Sequence, residues 1–270
     1  MMKSIYNQNL AEALRACKRE GSKPLFMPEI IDERINSDKD AKIWQNWYCA
    51  PSIRATGKTK VGSKIVVYAH LPNYFSDPDN LGYAKQKGLI NGAGVMPQKS
   101  FQKLADQDGK TDEAGNQLVF AVDYDKLRKS ISSVISVDQA LEHPQTIPFL
   151  GGKERAEKYL EKHRAVFGNN IGIWHKDDLH SKPLGRLLFV GNDCDGGILG
   201  SVSLGDGRFA VVRRAKNFPQ EMKVSGKDLT TADKEIKIPK LEEVLMLSKD
   251  YVPKAAIHDF ESKLRELYNK

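Results

Sequence analysis

The stretch "LGRLLFVGNDCDGGILGSVSLGDGRFAVVRR", residues 184–214, decides how this chain folds. Leu184–Val190, Ile198–Leu204 and Arg208–Arg213 are apolar, β-branched or aromatic runs of strand length. Between them lie "NDCDGG" and "GDG". Gly and Asp tolerate the positive φ that tight hairpins need, so the three strands are expected to form an antiparallel meander. Upstream, Leu10, Ala13, Leu14 and Cys17 make one helical stripe closed by Gly21. Pro24 and Pro28 are expected to hold the following chain extended.

The spacing predicts further strands over 62–71, 117–124 and 171–174, and helices over 100–107 (capped by Ser100), 124–134 and 137–143. The clearest helix is Lys153–Phe167, with Ala156, Tyr159, Leu160, His163 and Phe167 on one stripe and Gly168 as its stop. Two more helices are expected near 240–248 and 254–268. Helices and hairpins mixed in this way point to an α+β fold, a mixed sheet with an antiparallel meander around 184–214 flanked by helices. No linker composition interrupts the chain, so residues 1–270 read as one domain.

Composition narrows the function classes. The apolar fraction is 40% and the charged fraction 29% of 270 residues, an ordinary globular balance. Strongly apolar runs such as Ile65–Ala69 are far too short to span a bilayer, so no membrane partner is expected. The first residues carry Glu12 and Glu20 and lack the apolar centre of a secretory signal. Cys17, Cys49 and Cys194 are odd in number and widely spaced, which fits free buried thiols in the cytoplasm.

The net charge of +7 makes polyanions candidate partners. From Ala41 to Ser76 the chain has no Asp or Glu but carries Lys42, Arg54, Lys58, Lys60 and Lys64. Trp44, Trp47, Tyr48, Tyr68, Tyr74 and Phe75 interleave with those cations. Cations beside aromatic faces are how single-stranded nucleic acid is held. Gly57-Lys58-Thr59 within this run is not a phosphate loop. The first glycine position holds Ser52, and a strand follows where a helix N-terminus is required.

The leading expectation is therefore a nucleic-acid-binding or nucleic-acid-processing protein. Arg54, Lys58, Lys60 and Lys64 would meet phosphates from a projecting hairpin, and Trp47, Tyr68 or Tyr74 would stack on bases. Arg213, Arg214 and Lys216 would extend the track.

A second cluster supports a rival reading. His175, Asp177, Asp178 and His180 fall within six residues after a short apolar strand. Imidazole and carboxylate are the donors of hydrolytic metal sites. A divalent metal on His175, Asp178 and His180, with Asp177 beside it, would acidify a bound water and make the chain a hydrolase of a small anionic or phosphorylated substrate. A third reading is an interaction protein without chemistry. No G-x-S-x-G elbow marks a serine nucleophile.

Overall fold

The computed structural model describes residues 2–5, 10–194, 197–204 and 210–214, all within a unit spanning 1–218. In chain order the elements are β1 (Met2–Ile5), α1 (Leu10–Arg19), β2 (Ser22–Pro24), α2 (Met27–Ile35), β3 (Tyr48–Lys58), β4 (Lys64–Ala69), α3 (Pro78–Lys87), β5 (Gly94–Val95), α4 (Gln98–Ala105) and β6 (Val119–Asp123). There follow α5 (Tyr124–Lys129), β7 (Ser133–Ser136), α6 (Val137–Ala140), α7 (Thr146–Leu150), α8 (Lys153–Phe167), β8 (Asn170–Trp174), β9 (Leu184–Val190), β10 (Ile198–Leu199) and β11 (Ala210–Arg214).

The strands form one mixed sheet with β3 at its centre. β3 runs antiparallel to β9, from Tyr48 opposite Val190 to Thr56 opposite Leu184, with a register shift between Ala50 and Ile53. On its other side β3 pairs with β4, from Ile53 opposite Ala69 to Lys58 opposite Lys64, and β6 adds beyond β4. β9 continues through β10, β8 and β7, the β10–β8 pair being parallel. β11 joins β1 and β2 antiparallel and meets β3 parallel at Ala210 opposite Cys49.

The α+β class with a mixed, helix-flanked sheet is thus as expected from the sequence. Within it, the hairpin from β9 to β10 forms, but the third strand pairs elsewhere, because β1, β2 and β3 take up β11. The second strand also stops at Leu199. The carbonyls of Ser201 and Val202 accept from the buried Arg186 guanidinium instead of a neighbouring strand.

Alternation along the strands sends side chains to two apolar layers. Val66, Tyr68, Leu188 and Val190 pack with Ile30, Ile31, Trp44 and Tyr159, under α2 and α8. Val67, Ala69, Leu187 and Phe189 pack with Leu14, Phe75, Leu81 and Phe101, under α1, α3 and α4. Both layers are closed by helices, so the central strands are apolar on each face.

Local chemistry explains most element ends. Asp77 accepts from Asp79 N at 2.9 Å and Asp123 from Lys126 N at 2.7 Å, capping α3 and α5. Gly168 ends α8 at φ 90°. Helix α2 was not expected: Pro28 lies in its first turn, where a missing N–H costs nothing, and Phe26 N donates to Glu29 at 2.8 Å. Helix α4 begins behind Pro97, so Ser100 lies inside it and is not its cap. The helices expected beyond residue 214 lie outside the described residues. Among the described residues, no helix is long and apolar enough to cross a membrane.

Candidate recognition cleft

Arg54 on β3 and Arg186 on β9 face each other directly in the register of the sheet. Two like charges opposite one another repel, and here both are buried, at 1% and 0% exposure. The arrangement is tenable because Asp178 lies between them. Arg54 Nη1 donates to Asp178 Oδ2 at 2.6 Å. Arg186 grips the same carboxylate with two donors, Nε to Oδ2 at 2.7 Å and Nη2 to Oδ1 at 2.8 Å.

Two guanidiniums and one carboxylate leave one positive charge in excess. Backbone carbonyl dipoles offset it: Arg54 donates to Lys176 O, and Arg186 to the carbonyls of Ser201, Val202 and Asn91. Three irregular segments, 90–93, 175–183 and 200–204, are therefore fastened from inside the protein. Gln145 adds a buried link between strands, donating to Trp174 O at the end of β8 and accepting from Tyr68 Oη on β4 at 3.0 Å. Arg34 does the same elsewhere: it donates to the carbonyls of Ile43, Asn46 and Gly191 and lies over the Trp44 ring at 5.0 Å.

Two of these segments, 90–93 and 175–183, border an open cavity through Ile90 and Ser181–Pro183. It measures about 700 Å³ and lies between the C-terminal half of α3, the 88–97 segment and the 181–183 turn. That size suits a ligand or a peptide side-chain cluster. Its floor is apolar, including Met96, whose N–H donates to Pro183 O at 3.0 Å. Its rim carries Tyr74, Tyr83, Lys87, Gln98 and Lys182. Tyr83 is 54% exposed, with Lys87 Nζ 5.5 Å from its ring centroid. Gln98 Nε2 reaches back to Lys58 O at 2.9 Å, joining the cleft to the basic hairpin. Gly94 and Gly185 pair beneath it because a Cβ on either would lie within 3 Å of the Phe75 ring. A smaller cavity of about 380 Å³ has mixed charge at its wall, with Asp32 already paired to Arg155 at 2.7 Å.

The residues expected to contact nucleic acid divide sharply. Lys58, Lys60 and Lys64 are exposed at the end of the β3–β4 hairpin. Arg54 and Tyr68 are not available to a polyanion, being buried in the ion cluster and the core. Trp44, Tyr48 and Phe75 are core residues, Trp47 is half-buried against the second layer, and Tyr74 lies edge-on to Phe75 at 5.1 Å. Arg213 and Arg214 stand opposite Lys23 and Ser22 in the sheet, and Lys216 lies outside the described residues.

The expected metal cluster is likewise taken apart. Asp178 points inward to the arginines, whereas Asp177 is exposed and accepts from the Tyr124 hydroxyl, which holds its carboxyl below the usual range. His175 contacts Ser130 Oγ at 3.2 Å, and burial, then Arg54 and His143, push its pKa down to about 4. His180 is exposed, its Nδ1 accepting from Lys182 N at 3.3 Å. Among the described residues no group of three or more His, Cys, Asp or Glu is placed to hold a metal. Cys17 and Cys49 are buried free thiols.

Sequence reading missed Arg186, although a lone arginine in the apolar strand "LGRLLFV" requires a buried counter-charge. It also missed Tyr83 and Lys87, which have no motif around them.

No protein-family model and no curated protein matches this chain. A solved structure does, from work on the accommodation of massive sequence variation in Nanoarchaeota by the C-type lectin fold. It is 52% identical in sequence, the match covers 79% of this chain and 98% of that one, and the TM-score is 0.71. The nucleic-acid-binding and metal-dependent hydrolase expectations are overturned by that relationship, as the inward-facing Arg54 and Asp178 already indicate. With that identity over nearly all of its relative, this chain belongs to the same C-type lectin-fold family.

Proposed function

We propose that the chain is a recognition protein whose C-type lectin-fold scaffold presents the cleft at Tyr83, Lys87, Gln98 and Lys182 to a ligand. The observation that carries this is how loops 90–93 and 175–183, which reach the cleft through Ile90 and Ser181–Pro183, and the loop 200–204 are held. Arg186 and Arg54 bond the carbonyls of Asn91, Lys176, Ser201 and Val202. A carbonyl is present whatever the side chain, so loop shape is insulated from the identity of the exposed residues. The Nanoarchaeal relative's fold is described as accommodating massive sequence variation. Fastening loops through their backbones is a physical means to that end, and it favours a display role over a fixed catalytic constellation.

The test has two parts. Variants carrying any residues but Pro or Gly at the exposed positions 83, 87 and 182 are expected to melt within a few degrees of wild type, since exposed substitutions away from special features cost about 0.5 kcal/mol or less. Wild-type protein is then titrated with acidic peptides, basic peptides and neutral oligosaccharides. Binding by any of these that disappears in Tyr83→Ala/Lys182→Ala supports the reading. Loss of folding across the rim variants, or no rim-dependent binder in the panel, overturns it.

A further inference from the structure

Resting on that recognition reading, we infer that the cleft's partner is a protein segment combining an apolar or aromatic anchor with acidic flanks. Three features of the cleft lead there. The first is charge: the lining contains Lys87 and Lys182 and no Asp or Glu. The neighbouring Lys58 and Lys60 are exposed as well. Complementary charge at a rim steers association and selects against basic partners.

The second feature is the apolar base. Ile90 and Val95 are partly exposed and Pro97 exposed in its lining, with Met96 buried behind them. The third is Tyr83, more than half exposed, with the Lys87 ammonium over its ring. An exposed tyrosine loses little entropy on binding and supplies both ring area and a hydroxyl, which makes it a frequent energetic centre of interfaces. A small carboxylate would use the lysines and leave most of about 700 Å³ unfilled. A peptide fills the volume with its anchor and meets both lysines with its flanks.

The probe is a fluorescein-labelled nonapeptide set with Phe, Leu or Trp at the centre and alternating Asp and Glu outside. Its controls are the same peptides with Asn and Gln flanks, and oligoglutamate without an anchor. Anisotropy titrations are run with the full chain at 50 mM and 300 mM salt. The acidic, anchored peptide is expected to bind best and to weaken with salt.

Lys87→Gln/Lys182→Gln is expected to lower its affinity about tenfold, each rim charge being worth a factor of a few. Tyr83→Ala is expected to lower it about thirtyfold. All three residues are exposed, so unchanged melting of the variants verifies that folding is intact. Equal binding of the Asn/Gln peptide, binding of oligoglutamate as strong as that of the anchored peptide, or indifference to the variants would overturn the assignment. If the acidic peptides fail while an oligosaccharide or basic peptide binds in a Tyr83-dependent way, the ligand class falls and the recognition reading stands. If nothing binds in a rim-dependent way, both fall.

Discussion

Asp178→Asn removes the single negative charge between Arg54 and Arg186 while keeping the side-chain shape. Three donors, at 2.6, 2.7 and 2.8 Å, then face a neutral amide that can satisfy them at one oxygen only. The amide nitrogen adds donors where donors already crowd. Removing one partner from a buried ion cluster leaves uncompensated charge and costs about 3–5 kcal/mol. For a unit of this size that lowers Tm by about 6–20 °C.

The assay is urea and thermal unfolding followed by circular dichroism at pH 7, with Asp177→Asn alongside. Asp177 is exposed and its main partner is Tyr124, so its change is expected to cost about 1 kcal/mol or less. In the Arg54→Met background, Asp178→Asn is expected to cost clearly less than in wild type, since one of the two charges it would strand is already gone. An Asp178→Asn protein within about 1 kcal/mol of wild type would refute the reasoning, and so would adjacent aspartates of equal effect.

Acid should destabilise the fold before its carboxylates titrate. Burial holds His70 and His163 at a pKa of about 4, so the unfolded chain binds protons that the folded chain refuses. Stability is complete above the ordinary histidine pKa and falls as pH drops from about 6.5 towards 4, by about 3 kcal/mol for each histidine. Urea midpoints at pH 7, 5.5 and 4.5 measure this, and a flat profile would contradict it. Gly94→Ala places a Cβ 2.7 Å from Phe75 Cζ and 2.8 Å from Leu204 Cδ1, and is expected to cost about 1–3 kcal/mol by overpacking. Gly62→Ala, with open space around its Cβ, bears only backbone strain at φ 87° and should cost less. Equal effects of the two changes on the urea midpoint would refute the packing argument.

Much of the local structure was legible in the sequence. Helix α8, its buried stripe and its glycine stop follow from a period of 3.6 residues, and the hairpins β3–β4 and β9–β10 from apolar runs around turn residues. These features rest on interactions between near neighbours, which a one-dimensional pattern records. What tertiary structure alone decided is the fate of the charges and the last strand. Arg54 looks like a hairpin cation until Asp178, 124 residues away, is brought against it. Asp178 looks like a metal ligand beside Asp177 until the chain turns it inward and its neighbour outward. β11 looks like the end of a meander until β1, β2 and β3 bind it. A hydrophobic pattern reports which face of an element seeks the core. The partner that lets a charge be buried, and the edge that accepts a strand, are set by contacts between distant residues and exist only once the sheet has formed.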